Sequence, residues 1–112
     1  MGDFVSFDLA KKLKEKGYPN NTSHQYNEQG QICVSIVGED YPYPCLEIHQ
    51  VLKWLRDEKK IHIEIRLFFR KYGFDILHIE SRKKLAWSGT VEYNSYESAA
   101  IAGIEYILDN LI

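Results

Sequence analysis

Long apolar runs are missing from this chain: none exceeds four residues, far short of the ~20 that a bilayer-spanning helix needs. Cysteine is scarce, with only Cys33 and Cys45, and neither belongs to a C-x-x-C pair. That excludes a zinc ribbon or a thioredoxin-like redox motif. The phosphate, dinucleotide, zinc-protease and serine-hydrolase signatures are also lacking, so no cofactor, metal or catalytic residue is expected. The opening Met1-Gly2-Asp3-Phe4 has neither a basic stretch nor an apolar segment, which predicts no signal peptide and a cytoplasmic location. No lysine or arginine occurs after Lys84.

What is present is a chain of 112 residues, 45% hydrophobic, 13% aromatic and 27% charged. The length suits a single domain with its own core, and the aromatic content excludes disorder. The net charge of −2 is unevenly laid out. Residues 53–84 carry ten basic and five acidic groups, whereas residues 85–112 carry four acidic groups and no basic one. Two solvated faces of one domain account for this most simply, although a basic middle can also steer a polyanion.

Hydrophobic periodicity gives the elements. Ser6 caps a short amphipathic helix over 7–16, with Leu9, Ala10 and Leu13 in one stripe and Gly17 as its stop. Thr22–Tyr26 and Gln31–Val37, joined by Asn27-Glu28-Gln29-Gly30, read as a β-hairpin. Residues 38–44 read as a loop because of Pro42 and Pro44. From Cys45 to about Lys59 the period becomes helical, with Ile48, Val51, Leu52 and Leu55 inward. Ile61–Phe69 then alternates cleanly and should return from Phe74 to Glu80 through a turn at Arg70-Lys71-Tyr72-Gly73. The preferred register pairs Ile65 with Leu77 and Ile63 with Ile79. It also pairs Glu64 with His78, His62 with Glu80, and Phe68 with Phe74. A third strand follows over about 85–93, with a break at Gly89. Asn94 or Ser95 caps the last helix, where Gly103 implies close packing because glycine costs ~1 kcal/mol against alanine in a helix.

The expected fold class is α+β. A helix, hairpin and loop over 1–44 precede an α-β-β-β-α core over 45–112, the topology of the double-stranded-RNA-binding domain. Phe68, Phe74 and Ile76 would then stand on the sheet face away from the helices, as an apolar patch that an N-terminal hairpin or a second copy should cover.

Three functional readings follow. The leading one is a non-enzymatic protein-interaction or self-associating module, with a homodimer as one form. Its contacts would come from Phe68, Phe74 and Ile76, from Tyr41 and Tyr43 in the proline-rich loop, and from the small residues Ala99 and Gly103. The alternative is nucleic-acid binding through Lys59, Lys60, Arg70, Lys71, Arg82, Lys83 and Lys84. Against it, the start of the last helix offers Glu97 where RNA-binding domains of that topology place basic residues. A third reading is an enzyme built on Cys45 and His49, one helical turn apart; burial of Cys45 beside Ile48 and Leu52 is the simpler account. No membrane contact is expected.

Several blocks together resemble a known group. These are Phe4-Val5-Ser6 with Leu9 to Tyr18, Tyr43-Pro44-Cys45-Leu46, Val51 to Ile63 with its Lys53-Trp54-Leu55-Arg56 core, and Ser95 to Ala100. They are similar to small uncharacterised proteins of gut Bacteroidales and their phages, over nearly the whole chain. The group commonly has a threonine cap where this chain has Cys45. The resemblance implies a phage or mobile-element setting and carries no activity.

Overall fold

The computed structural model describes residues 4–19, 22, 24–34, 41–88 and 92–112. The chain forms two compact units, residues 1–47 with 112 and residues 48–111. Both are built from helix and antiparallel strand, so the α+β class holds.

In the first unit, helix α1 (Phe7–Glu15) starts at Ser6, whose hydroxyl accepts from the Leu9 N–H at 3.2 Å. Leu9, Ala10 and Leu13 are buried, and Gly17 leaves the helix with φ of 93°. Strands β1 (His24–Tyr26) and β2 (Ile32–Val34) form the expected hairpin. Its extension to Val37 lies outside the described residues. The loop reading of 38–44 needs correction at its end. Tyr43–Pro44 is a strand, β3, on the other side of β1, giving the order β2-β1-β3. Proline is tolerated there because β3 is an edge strand. The same pairing carries on to Cys45, whose N–H donates to the His24 carbonyl at 3.0 Å. Cys45 therefore belongs to the sheet side of the chain, and α2 (Ile48–Glu58) begins three residues later than its periodicity suggests.

The second unit runs α2, β4 (Ile61–Phe68), β5 (Lys71–His78), β6 (Lys84–Trp87) and α3 (Tyr96–Asn110). The sheet order is β4-β5-β6, and both helices pack on β4. Ser95 caps α3, accepting from the Ser98 N–H at 3.0 Å. The third strand ends at Trp87, earlier than expected, and Tyr93 rejoins the sheet as a single bridge to Tyr72. Gly89 lies outside the described residues.

The β4–β5 register differs from the expected one. Phe68 pairs with Lys71 across a two-residue turn, so Ile65 faces Phe74, Ile63 faces Ile76 and Ile61 faces His78. Glu64 faces Asp75 rather than His78, and His62 faces Leu77 rather than Glu80. The slip is an odd number of residues, so β5 turns over and its two faces exchange. Phe74 and Ile76 go under the helices, where they are 5% and 0% exposed. Burying each is worth ~1.5–3 kcal/mol. In the expected register Asp75 would have stood on the helix side of the sheet, opposite Leu67 and on the other face from Arg66. In the observed one it lies on the opposite face, 3.1 Å from Arg66 and 3.7 Å from Lys84.

Gly103 meets its expected close neighbour: a Cβ there would stand 3.2 Å from two carbon atoms of the Ile63 side chain and 3.5 Å from the Phe74 ring. A large side chain has no room. Gly103→Leu should lower unfolding free energy by ~1–3 kcal/mol, read from urea midpoints. An unchanged midpoint would contradict this packing.

Candidate interaction surface

The interaction candidates separate once burial is known. Phe74, Ile76, Ala99 and Gly103 are buried and present no surface, a correction that follows from the register and from the depth of α3. Tyr43 is half-buried, its ring edge-on to Phe7 at 5.5 Å and under the Lys14 ammonium at 5.2 Å. Tyr41 is half-buried, its N–H donating to the buried Gln25 side chain at 2.8 Å. Phe68 alone stays strongly exposed, at 58%.

Phe68 has company that the sequence reading did not assign to the surface. Leu67 is 63% exposed and Phe69 is 83% exposed, so three consecutive apolar side chains stand in solvent at the β4–β5 tip. The cause is a gradient along β4. Ile61 and Ile63 are buried, Ile65 is half-buried, and Leu67 on the same face is open, so the hairpin outruns the two helices that cover its base. The Phe68 and Phe69 rings meet edge-on, 4.4 Å apart. The signal was available in the sequence: Leu67-Phe68-Phe69 breaks the apolar–polar alternation at the strand's end.

The turn itself is strained. Its two central residues, Phe69 and Arg70, have φ of 54° and 78°. Two-residue hairpin turns of this kind favour Asn-Gly, because an L side chain at positive φ costs ~1–2 kcal/mol. Here an aromatic and an arginine occupy both positions. Neither the exposed phenyl group nor the strained backbone helps this hairpin fold, and such costs concentrate where a surface has work to do.

The basic residues divide into two groups. The Ile79 N–H donates to the Lys60 carbonyl at 2.8 Å, which brings Lys59 and Lys60 beside the Arg82-Lys83-Lys84 turn at the base of the sheet. Arg70 and Lys71 lie at the tip, the length of an eight-residue strand away, roughly 25 Å. Several have local roles. Lys59 sits over the Trp54 ring at 5.3 Å, the Lys60 ammonium donates to the Asp57 carbonyl at 3.0 Å, and Lys71 hydrogen bonds the Asn94 side chain. Lys84 is shared between Asp75 and the exposed Trp87 ring. The α3 N-terminus carries Glu97 in its first turn.

On the face of the sheet that carries Asp75, a cavity of about 350 Å³ is lined by His62, Leu77, His78, Ile79 and Arg82. Among the described residues, no three His, Cys, Asp or Glu side chains gather as a metal site. No described helix is long and apolar enough to cross a membrane.

Cys45 offers little nucleophilic chemistry. It is buried, and loss of solvation pushes its thiol pKa up, a rise that a hydrogen bond with the Tyr26 hydroxyl only partly offsets. Burial and the neighbouring thiol push Tyr26 up to about 12, while its hydroxyl donates to the Val5 carbonyl at 2.6 Å. At neutral pH the thiol is therefore protonated, the unreactive form.

Comparison with protein-family models, with curated proteins and with solved structures finds no match to this chain.

Two outcomes follow from this geometry. Replacing Phe69-Arg70 with Asn-Gly should relax the turn and raise unfolding free energy by about 2 kcal/mol in urea titrations; an unchanged or lower value would remove the strain argument. In the native protein a thiol-specific disulfide reagent should modify Cys33 readily and Cys45 only on unfolding. Equal native rates would show that Cys45 is activated.

Proposed function

We propose that this chain is a protein-interaction module whose contact surface is the β4–β5 hairpin tip. One observation carries the reading: Leu67, Phe68 and Phe69 stand in solvent at a hairpin turn whose two central residues, Phe69 and Arg70, both have positive φ. Adjacent apolar side chains exposed at a hairpin tip are what a partner's pocket desolvates, and aromatic anchors dominate such contacts. The sheet-face patch of the sequence reading gives way to this smaller one. Its homodimer form is retained, because the tip lies on an edge strand.

The reading takes the second unit as a double-stranded-RNA-binding-like α-β-β-β-α sandwich put to a different use. Nucleic-acid binding is the weaker alternative, since the turn lysines and arginines lie at two ends of the sheet and a glutamate stands at the α3 N-terminus. The sequence resemblance to phage-associated proteins supports an accessory role in a phage or prophage for such a module.

Photo-crosslinking tests this directly. A benzophenone amino acid at Phe69 should yield protein adducts in cells producing the chain, and the same group at the exposed Glu58 on α2 should not. Adducts to nucleic acid alone, or none above the Glu58 control, would overturn the reading.

A further inference from the structure

We propose that two copies of this chain associate by antiparallel pairing of their β4 strands, with Ile65 of one copy opposite Ile65 of the other. The idea rests on the interaction-module reading and names its partner. Strand β4 lies at a sheet edge: β5 is bonded on one side, and among the described residues no strand lies on the other. At eight residues it is a long edge, and unpaired edges of that length template further pairing.

The direction of its free backbone groups follows from the hairpin. Phe68 and Lys71 close the two-residue turn, and the Ile79 N–H donates to the Lys60 carbonyl. Even-numbered β4 residues thus direct their N–H and C=O groups to β5. Ile61, Ile63, Ile65 and Leu67 direct theirs to the open edge. These are the groups that a second strand would bond.

Charge selects the register. Two-fold antiparallel pairing sets one residue opposite itself. Centring on Glu64 opposes two glutamates, centring on Arg66 opposes two arginines, and centring nearer either end shortens the overlap. Centring on Ile65 sets Glu64 opposite Arg66 of the second copy, twice. Both pairs fall at the narrow, non-hydrogen-bonded positions where side chains approach closest. The same register places exposed Leu67 opposite Ile63. It also places exposed Phe68 opposite His62, which lines the cavity shared with Leu77 and Ile79. Each copy's Phe68 ring therefore arrives beside the other copy's apolar cavity. The charge pairing and the placement of Phe68 agree on one alignment.

Sedimentation equilibrium of the full chain should show a monomer–dimer equilibrium. Glu64→Lys, at an exposed position, should weaken the dimer at least about tenfold. In a Cys33→Ser background, Ile65→Cys should oxidise to a covalent dimer, since directly opposed hydrogen-bonded positions lie ~5.5 Å apart at Cα. Glu64→Cys in the same background should not. A chain that stays monomeric, or a dimer indifferent to Glu64→Lys and without the Ile65→Cys crosslink, would overturn β4 pairing. Crosslinks from the tip to a different polypeptide would still leave the broader interaction reading standing.

Discussion

The side of the sheet on which Asp75 falls governs the second unit. On the helix side Asp75 would lose its ion pair with Arg66 and leave Phe74 and Ile76 on the outer face, at ~1.5–3 kcal/mol for each apolar side chain, enough to offset the strain of two residues at positive φ. The chain accepts the strained turn. Asp75 then lies between Arg66 and Lys84, Phe74 and Ile76 fill the space beneath α3, and Gly103 lets that helix sit against Ile63. One alternation of β5 decides what is core and what is surface.

Much of this was legible in the sequence. Ser6 and Ser95 announced the helix starts through their caps, the i, i+3, i+7 spacing of Ile48, Val51 and Leu55 marked the inward stripe of α2, and Gly103 announced close packing. The turn was not legible, because Gly73 looks like the natural residue for a reversal while Phe69-Arg70 looks like strand. Turn propensity is a local quantity, and here it lost to the burial of Phe74 and Ile76 and the pairing of Asp75. Cys45 was misplaced for a related reason: its helical spacing from His49 is real, but a backbone hydrogen bond to His24 holds it to the strand.

The same turn relocates the surface. An apolar sheet face would have offered a broad, flat contact, whereas the observed hairpin offers a narrow prow of Leu67, Phe68 and Phe69 flanked by Arg70 and Lys71. It adjoins an open strand edge whose charges complement themselves about Ile65. A patch of that kind suits a partner that contributes both a β-strand and a pocket, and this chain possesses both. The lysines at the base of the sheet belong to a different end of the unit, engaged with Trp54, Asp57 and Asp75.

The most direct test of the account is the β4–β5 register in solution, read from Hα–Hα cross-peaks in nuclear Overhauser spectra. Non-hydrogen-bonded antiparallel partners bring their Cα atoms to ~4.5 Å, close enough for strong peaks. Cross-peaks joining Ile65 with Phe74 and Ile63 with Ile76 are the expected result. Peaks joining Ile65 with Leu77 and Ile63 with Ile79 would turn Phe74 and Ile76 to the face away from the helices and contradict the account at its root.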